Sequence, residues 1–496
     1  MTVELNGVDA EYQRWTRVVA DATWRLRLGA ELRKGSGAAA PVLNPANGEL
    51  LCDIEQASGA DVDLAVERGL AAAQAWGNLT PRDRGGAVRE FADILEQHQD
   101  ELAWLDTLDA GLPLWMMRKD AATGIERMRM FADLGLTLSG LTIPASAGNL
   151  HLTFLEPFGV VARIIPFNHP FMFAASKVAA PLVAGNAVVL KPSELTPLSA
   201  LRMAELAQDV LPDGVLSVVH GDADIGDALV RHRGIRRIAF TGSHHVGRAI
   251  QRSAAEVGVK HVSLELGGKN AMIVFPDADV DSALQAAVKG MNFAFAGQSC
   301  GSTSRILLPE SLFASFTERY VSAVTAVNQG LPWTPGVQMG PMVSAAQRDR
   351  AIGFIDRARD AGARVLAGGG VPADAGAGFF VAPTVLDGVS TDMEIAREEV
   401  FGPVVSLVPF SDEDHAVRIA NDVDYGLTAS VWTRELARAH RVSRRLQAGY
   451  IWVNDTSTHF PGVPFGGVKL SGIGREESVD ELVSYTETKA VNVVLS

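Results

Sequence analysis

Only two cysteines occur in the 496 residues, Cys52 and Cys300. Cys300 sits in Gly297-Gln298-Ser299-Cys300-Gly301-Ser302, a run of small residues that follows an apolar helical stretch. A loop can present a thiol to a substrate, although a lone cysteine more often packs as a small hydrophobe. A thiolate attacks electrophilic carbon, so Cys300 is a candidate nucleophile. Glu265, in Glu265-Leu266-Gly267-Gly268-Lys269, follows the strand-like His261-Val262-Ser263-Leu264 and precedes paired glycines that permit unusual backbone angles. It reads either as a general base or as an exposed loop carboxylate. Asn168 lies just past Ile165-Pro166-Phe167. Its amide can donate to an oxyanion, or it serves a turn, which asparagine favours.

Other positions have the character of phosphate and ribose contacts. Phe240-Thr241-Gly242-Ser243-His244-His245-Val246-Gly247 follows the strand Arg237–Phe240 and opens a helix to about Val257. Gly242 allows close backbone approach, Ser243 can cap the helix, and free N–H groups at the helix start face an anion. An ordinary capped turn explains the same residues. Lys191-Pro192-Ser193-Glu194 closes another strand. Strand C-termini are where α/β sheets bind ligands, so Lys191 and Glu194 can hold ribose hydroxyls or form a solvated pair. A G-x-G-x-x-G match at Gly35–Ala40 has no preceding strand and runs into Pro41 and Asn44-Pro45, so it is a loop.

The elements that must position these groups alternate. Helical periodicity covers 61–76, about 84–107 and about 113–134. From Thr137 to Phe158 the pattern becomes strand or hairpin, outside the helical layer. Strands at Val160–Ile165, Ala187–Leu190, Leu216–Val219 and Arg237–Phe240 alternate with helices at Pro170–Val183 and Leu198–Val210. Short apolar strands between helices indicate a parallel sheet covered on both faces. The rhythm recurs at Ala271–Phe275, 280–293, Arg305–Leu308 and 310–328, a second α/β unit. Gly368–Gly378 reads as a surface loop.

Composition narrows the function classes. Hydrophobic residues make up 47% and charged residues 21%, which excludes disorder and a disulfide-stapled mini-protein. Forty-four basic against 58 acidic residues give a net charge of −14, so nucleic acid and anionic membrane would repel the chain. Two cysteines cannot build a four-thiolate zinc site, and low cysteine use suits a reducing compartment. The acidic start, with Glu4, Asp9 and Glu11, is neither a signal nor a transit peptide. The longest apolar stretch, Val178–Leu190, is broken by Pro181, Gly185 and Asn186 and is too short to span a bilayer. A cytoplasmic enzyme without a metal is expected.

Taken together, the segments resemble the NAD(P)-dependent aldehyde dehydrogenase superfamily. The resemblance runs through Asn44-Pro45-Ala46-Asn47-Gly48-Glu49, Glu156-Pro157-Phe158-Gly159-Val160 and Ile165-Pro166-Phe167-Asn168-His169-Pro170. It continues in Gly185-Asn186-Ala187-Val188, Lys191-Pro192-Ser193-Glu194, Phe240-Thr241-Gly242-Ser243, Glu265–Lys269 and Gly297–Cys300. It closes with Glu398-Glu399-Val400-Phe401-Gly402-Pro403, Pro464-Phe465-Gly466-Gly467 and Ser471-Gly472-Ile473-Gly474-Arg475-Glu476. The motifs cover about residues 40–490 in order, which makes the set far more specific than any member.

The resemblance implies two Rossmann-like parallel-sheet domains and a small bridging β domain. Residues 1–136 and 156–262 would bind NAD, 263–477 would carry catalysis, and 137–155 with 478–496 would be oligomerisation strands. Cys300 resembles the nucleophile, Glu265 the base, Asn168 with the Cys300 N–H the oxyanion hole, and Lys177 with Glu476 a proton relay. Ile165, Pro166, Phe167, Asn168, Lys191, Ser193, Glu194, Phe240, Thr241, Gly242, Ser243, Val246, Leu266, Gly267, Glu399 and Phe401 would line the cofactor. His169, Met172, Phe293, Ser299, Gly301, His459 and Phe465 would line the substrate pocket, with Phe171, Phe173, Phe295 and Phe460 completing an aromatic funnel. No arginine stands out as a holder of a substrate carboxylate.

The implied activity is oxidation of an aldehyde to an acid through a Cys300 thiohemiacetal and thioester, in a homodimer or homotetramer. NAD is expected over NADP, because a 2′-phosphate would face the Glu194 carboxylate. A CoA-acylating semialdehyde dehydrogenase is the alternative enzyme, but such relatives typically lack the base. A non-catalytic protein on the same fold would not be expected to keep Cys300, Glu265 and Asn168 together. The chain departs from the family at Ser299, Gly301 and Ser302 around the thiol, at Ser176 before Lys177, and at His244-His245. The first group should widen the mouth beside the thiol.

Overall fold

The computed structural model describes residues 2–495. Two parallel sheets organise the chain, as the alternating apolar strands predict. The first is eight-stranded, in the spatial order Glu31–Arg33, Leu26–Leu28, Leu216–Val218, Ala187–Lys191, Val160–Ile164, Ile235–Gly242, His261–Leu266, Gly472–Ile473. Its five central strands are parallel. The two N-terminal strands and Gly472–Ile473 add antiparallel edges. Chain order reverses between Val160–Ile164 and Ile235–Gly242, so a crevice opens at their C-terminal ends, where doubly wound sheets take ligands.

The second sheet has seven strands, in the order Arg364–Ala367, Thr384–Asp387, Val404–Phe410, Arg305–Pro309, Ala271–Val274, Thr428–Trp432, Tyr450–Val453. All its pairs are parallel except the first. The expected domain limit at residue 263 falls inside the strand His261–Leu266. This strand places Glu265 opposite Thr241 on one side and Gly472 on the other. The base candidate therefore belongs by hydrogen bonding to the first sheet and by chain continuity to the second.

A two-stranded ribbon stands apart. Asn149–Pro157 pairs antiparallel with Thr486–Val494 through nine registered residues. Of the strand or hairpin read over Thr137–Phe158, the single strand Asn149–Pro157 forms, with a bridge from Thr142 to Leu152 beside it. Phe154, Leu141 and Val494 on or beside the ribbon are exposed at 48%, 64% and 79%.

Two departures from periodicity have local causes. The stretch read as one helix at 84–107 is two, Pro81–Gln97 and Gln99–Ala110, because His98 leaves helical geometry at φ −105°, ψ 11°. The motif-poor N-terminus forms the helix Thr2–Asp21, anchored by Val19 in the core and by Tyr12 stacked on Trp333 at 3.8 Å. Gly35–Ala38 is a loop, but Ala39 and Ala40, read with it, open the strand Ala39–Leu43, which pairs with Leu50–Glu55; Ser36 donates to the Asp61 carboxylate, and a Cβ at Gly35 would clash with the Gln56 carbonyl oxygen.

Candidate active site

A cavity of about 690 Å³ lies between the two sheets. Cys300, Glu265, Lys177 and Glu476 all border it, with Thr241 from the first sheet. The residues expected at the substrate pocket, His169, Met172, Phe293, Ser299, Gly301, His459 and Phe465, all border this cavity. Phe173 and Phe295 join them, whereas Phe171 is wholly buried in its helix and Phe460 is half exposed outside the lining. Both belong to the aromatic segments that the sequence singled out, but helix phase turns Phe171 into the core.

Cys300 sits in a turn held from several directions. The Asn270 amide donates to the Cys300 carbonyl at 2.7 Å and to the Ser302 carbonyl at 3.0 Å. Its own oxygen accepts from Thr428 N–H, which ties the loop to the second sheet. Ser302 Oγ donates to the Met291 and Gly297 carbonyls. Asn168 Nδ2 donates to the Gln298 carbonyl at 2.9 Å, two residues before the thiol. An amide nitrogen carries two hydrogens, so the second remains for an oxygen at the thiol. The small flanks leave room: a Cβ at Gly301 would meet only Ser299 Oγ, at 4.0 Å. Burial first, then the Glu399 and Glu265 charges, push the Cys300 thiol up to about 12.

Glu265 is 5% exposed, and neither carboxylate oxygen has a hydrogen-bond partner. This excludes the reading as an exposed loop carboxylate. Burial and the neighbouring Glu476 charge raise its carboxyl well above the ordinary range, against the pull of Lys177 and Arg163. A Cβ at Gly466 would come within 2.7 Å of Glu265 Oε1, so glycine there makes space for the carboxylate.

Behind Glu265 stands a buried ion triad. Glu476 pairs with Lys177 through one oxygen and with Arg163 Nη2 at 2.5 Å through the other. Burial would raise Glu476, but the Arg163 and Lys177 charges outweigh it and hold the carboxyl at about 2. Lys177 is held above its ordinary value: burial opposes the charge, and Glu476 prevails. Arg163 is a site residue that sequence reading missed, since it sits inside the apolar strand Val160–Ile164. An arginine in a wholly buried parallel strand is the signal that it carried.

The expected cofactor residues gather at the C-terminal ends of three adjacent strands. Ile165 to Asn168 follow the strand ending at Ile164. Lys191 ends the next, with Ser193 and Glu194 just beyond it, and Phe240 to Gly242 end the third, with Ser243 following. Lys191 Nζ is buried, 3.9 Å from the half-exposed Glu194 carboxylate. Burial lowers the Lys191 amine. Ser243 caps the helix His244–Val257, accepting from Val246 N–H. Thr241 Oγ1 and Asn168 Oδ1 are buried without partners. Across the crevice, Glu399 Oε1 accepts from Gly268 N–H at 3.0 Å, and a Cβ at Gly267 would fall 1.9 Å from Glu399 Oε2. Phe401, at φ +55°, meets Phe167 edge-on at 5.7 Å. Leu266 follows Glu265 in the same strand and is buried. The His244 and His245 rings lie 3.9 Å apart, tilted by 37°, and Tyr425 bridges His244 to Glu398.

Among the described residues no cluster of His, Cys, Asp and Glu is suited to a metal ion, and no helix is long and apolar enough to cross a membrane.

Comparison with known proteins places this geometry. The family model described as "Aldehyde dehydrogenase family" matches residues 32–491. The chain is 45% identical to the aldehyde dehydrogenase tropH of Talaromyces stipitatus, over 91% of this chain and 90% of that one. It superposes on PnpE from Pseudomonas sp. WBC-3 with a TM-score of 0.93 and 40% identity, covering 96% of this chain and 98% of that one. It likewise matches an NAD⁺ complex of aldehyde dehydrogenase from Bacillus cereus, with a TM-score of 0.94 and 36% identity over 97% and 98% of the two chains. A match of this length, over both sheets and the ribbon and carrying the thiol and the carboxylate at one cavity, establishes that the chain belongs to the aldehyde dehydrogenase family.

Proposed function

We propose that this protein oxidises an aldehyde to the carboxylic acid with NAD, through a thioester on Cys300 that is hydrolysed with Glu265 as general base. One observation carries the reading. A buried carboxylate without a protein partner borders the same cavity as the only cysteine near it. A carboxylate that no protein donor satisfies is suited to accept a proton from thiol or water.

The residues at the three strand ends fit a dinucleotide. Thr241 Oγ1 is an orphaned buried hydroxyl there, and the capped helix start beyond Ser243 offers free N–H groups to a pyrophosphate. Lys191 and Glu194 would take the adenosine ribose, and Glu399 the nicotinamide ribose. When bound, NAD supplies the hydride acceptor and a positively charged ring. Relatives solved with NAD include the Bacillus cereus enzyme above. Glu194 favours NAD over NADP by about 10-fold in kcat/KM, since a 2′-phosphate would bring like charge against it.

In the chemistry, Glu265 takes the thiol proton and the Cys300 sulfur bonds to the aldehyde carbon. The resulting alkoxide is held by the free Asn168 amide hydrogen and the Cys300 N–H. Loss of hydride from that carbon restores the carbonyl as a thioester. Glu265 releases the thiol proton to solvent, then removes a proton from water as its oxygen attacks, and passes that proton to the departing Cys300 thiolate as the acid leaves. The Lys177–Glu476–Arg163 triad sets the charge around Glu265. Lys177 and Glu476, paired directly behind it, would relay the proton that Glu265 takes up.

The exposed apolar ribbon of Asn149–Pro157 and Thr486–Val494 supports assembly into a dimer or tetramer. Sedimentation should give no monomer at micromolar concentration.

The test is kinetic. Cys300→Ala should lose turnover while NAD binding stays near normal, and full turnover would refute the assignment. Glu265→Gln should retain a burst of NADH formation with a low steady-state rate. Equal loss of burst and steady state would remove Glu265 from the hydrolytic step. Turnover that requires CoA would establish the acylating alternative.

A further inference from the structure

The cavity wall holds two imidazole–carboxylate pairs that the chemistry above does not use. His169 Nδ1 lies 2.9 Å from Asp120 Oδ2, and His459 Nδ1 lies 3.0 Å from Glu477 Oε2. Both histidines border the cavity. One helix, Leu114–Leu134, organises both pairs. It supplies Asp120 directly, and from the same face, seven residues on, it supplies Arg127. Arg127 Nη2 pairs with Glu477 at 3.0 Å. Burial would raise the Glu477 carboxyl; the Arg127 charge and the hydrogen bond from His459 outweigh it and hold it well below the ordinary range.

A carboxylate beside Nδ1 fixes the proton on that nitrogen, which leaves Nε2 as the acceptor of a neutral ring. Among the described residues no protein group bonds Nε2 of either histidine. The rings stand in an aromatic setting. His169 lies 4.3 Å from Phe295 and 5.1 Å from Phe173; His459 lies 4.8 Å from Phe465. Phe465 also joins the apolar cluster against which Cys300 packs. The cations of the wall are engaged: Arg127 with Glu477, Lys177 with Glu476, and Lys289 3.5 Å from Asp455. Only Lys119 is exposed without an ion pair. The pocket thus offers hydrogen-bond acceptors on aromatic walls, and little free positive charge.

We propose that the pocket selects neutral, hydroxylated aromatic aldehydes, with His169 and His459 as acceptors for the ring hydroxyl. This rests on the reading of Cys300 and Glu265 as the reacting pair, and it goes further by naming the substrate class. The apolar walls take the flat ring. A hydroxyl placed away from the carbonyl donates to an Nε2 that otherwise has no partner, while a ring carboxylate meets Asp120 and Glu477 without a free arginine.

The test compares benzaldehyde with its 3-hydroxy, 4-hydroxy and 4-carboxy forms, by NADH formation. The better hydroxy aldehyde should exceed benzaldehyde by about 10-fold in kcat/KM, and the carboxy aldehyde should fall below both. In His169→Phe or His459→Phe the hydroxy-to-unsubstituted ratio should collapse toward about 1. A second measurement is independent of the chemistry. Hydroxybenzyl alcohol, which a thiol cannot attack, should bind Cys300→Ala about 10-fold more tightly than benzyl alcohol in calorimetry. A wild-type ratio near 1, a ratio kept in both variants, or a preference for the carboxy aldehyde would overturn the proposal. Absence of turnover with every aldehyde, with the calorimetric preference retained, would instead refute the reacting pair and leave the pocket assignment standing.

Discussion

Replacing Glu265 by glutamine should stabilise the protein, and more at high pH than at low. Glu265 is nearly fully buried with both oxygens unpartnered, and its carboxyl is raised well above the ordinary range by burial and by Glu476. A group with a raised folded pKa holds its proton more tightly in the native state than in the unfolded one. Native stability from this group is therefore complete below the unfolded value near 4.5 and is lost as pH rises through the folded value. Above that, the chain carries a buried charge that no protein donor satisfies. An unsatisfied buried polar group costs about 1–3 kcal/mol, and more when ionised. Glutamine keeps the shape and removes the charge but brings an amide that also needs partners, so the gain belongs near about 1 kcal/mol. For a chain of this size that is a rise of about 1–3 °C in apparent Tm. Differential scanning fluorimetry at pH 5 and pH 8.5 measures it. The variant should melt higher at pH 8.5, with the difference shrinking at pH 5. A variant less stable than wild type at pH 8.5 would refute the claim that the carboxylate stands unsatisfied.

Three further outcomes follow from named contacts. Glu476→Gln leaves Lys177 and Arg163 as buried cations without a counter-charge, so it should cost about 3–5 kcal/mol. It should also move the acid limb of thioester hydrolysis to lower pH, because Glu476 raises Glu265 while the two cations lower it; a denaturant titration and a pH–rate profile check both. Asn270→Ala removes the donors to the Cys300 and Ser302 carbonyls and should lower kcat about 10- to 100-fold, with NAD affinity near normal by fluorescence titration. Glu194→Ser should narrow the preference for NAD over NADP from about 10-fold toward parity in kcat/KM, and an unchanged ratio would show that Glu194 points elsewhere.

The groups legible in the sequence are those whose neighbours in the chain explain them. Cys300 stands among small residues, Glu265 ends a strand before two glycines, and Asn168 follows a strand end; each motif fixes its own presentation. Groups whose meaning comes from distant partners were not legible. Arg163 reads as one residue of an apolar strand until Glu476, 313 residues later, meets it. Asn270 matters through the Cys300 loop 30 residues on, and Asp120 through His169. Arg127 lines the pocket although no arginine stood out, because its helix face is defined only by what packs against it. The sheets followed from strand–helix alternation, whereas the break at His98 and the N-terminal helix depend on packing that periodicity does not encode.

The proposed chemistry passes through a thioester on Cys300 that Glu265 resolves. Intact-mass and peptide mass spectrometry of Glu265→Gln, quenched in acid after mixing with aldehyde and NAD, tests it most directly. An acyl adduct equal to the aldehyde minus one hydrogen, in place of the thiol hydrogen, is expected on the peptide that contains Cys300 and only when NAD is present. An adduct on Cys52 or on no cysteine, in a sample that has made NADH, would contradict it.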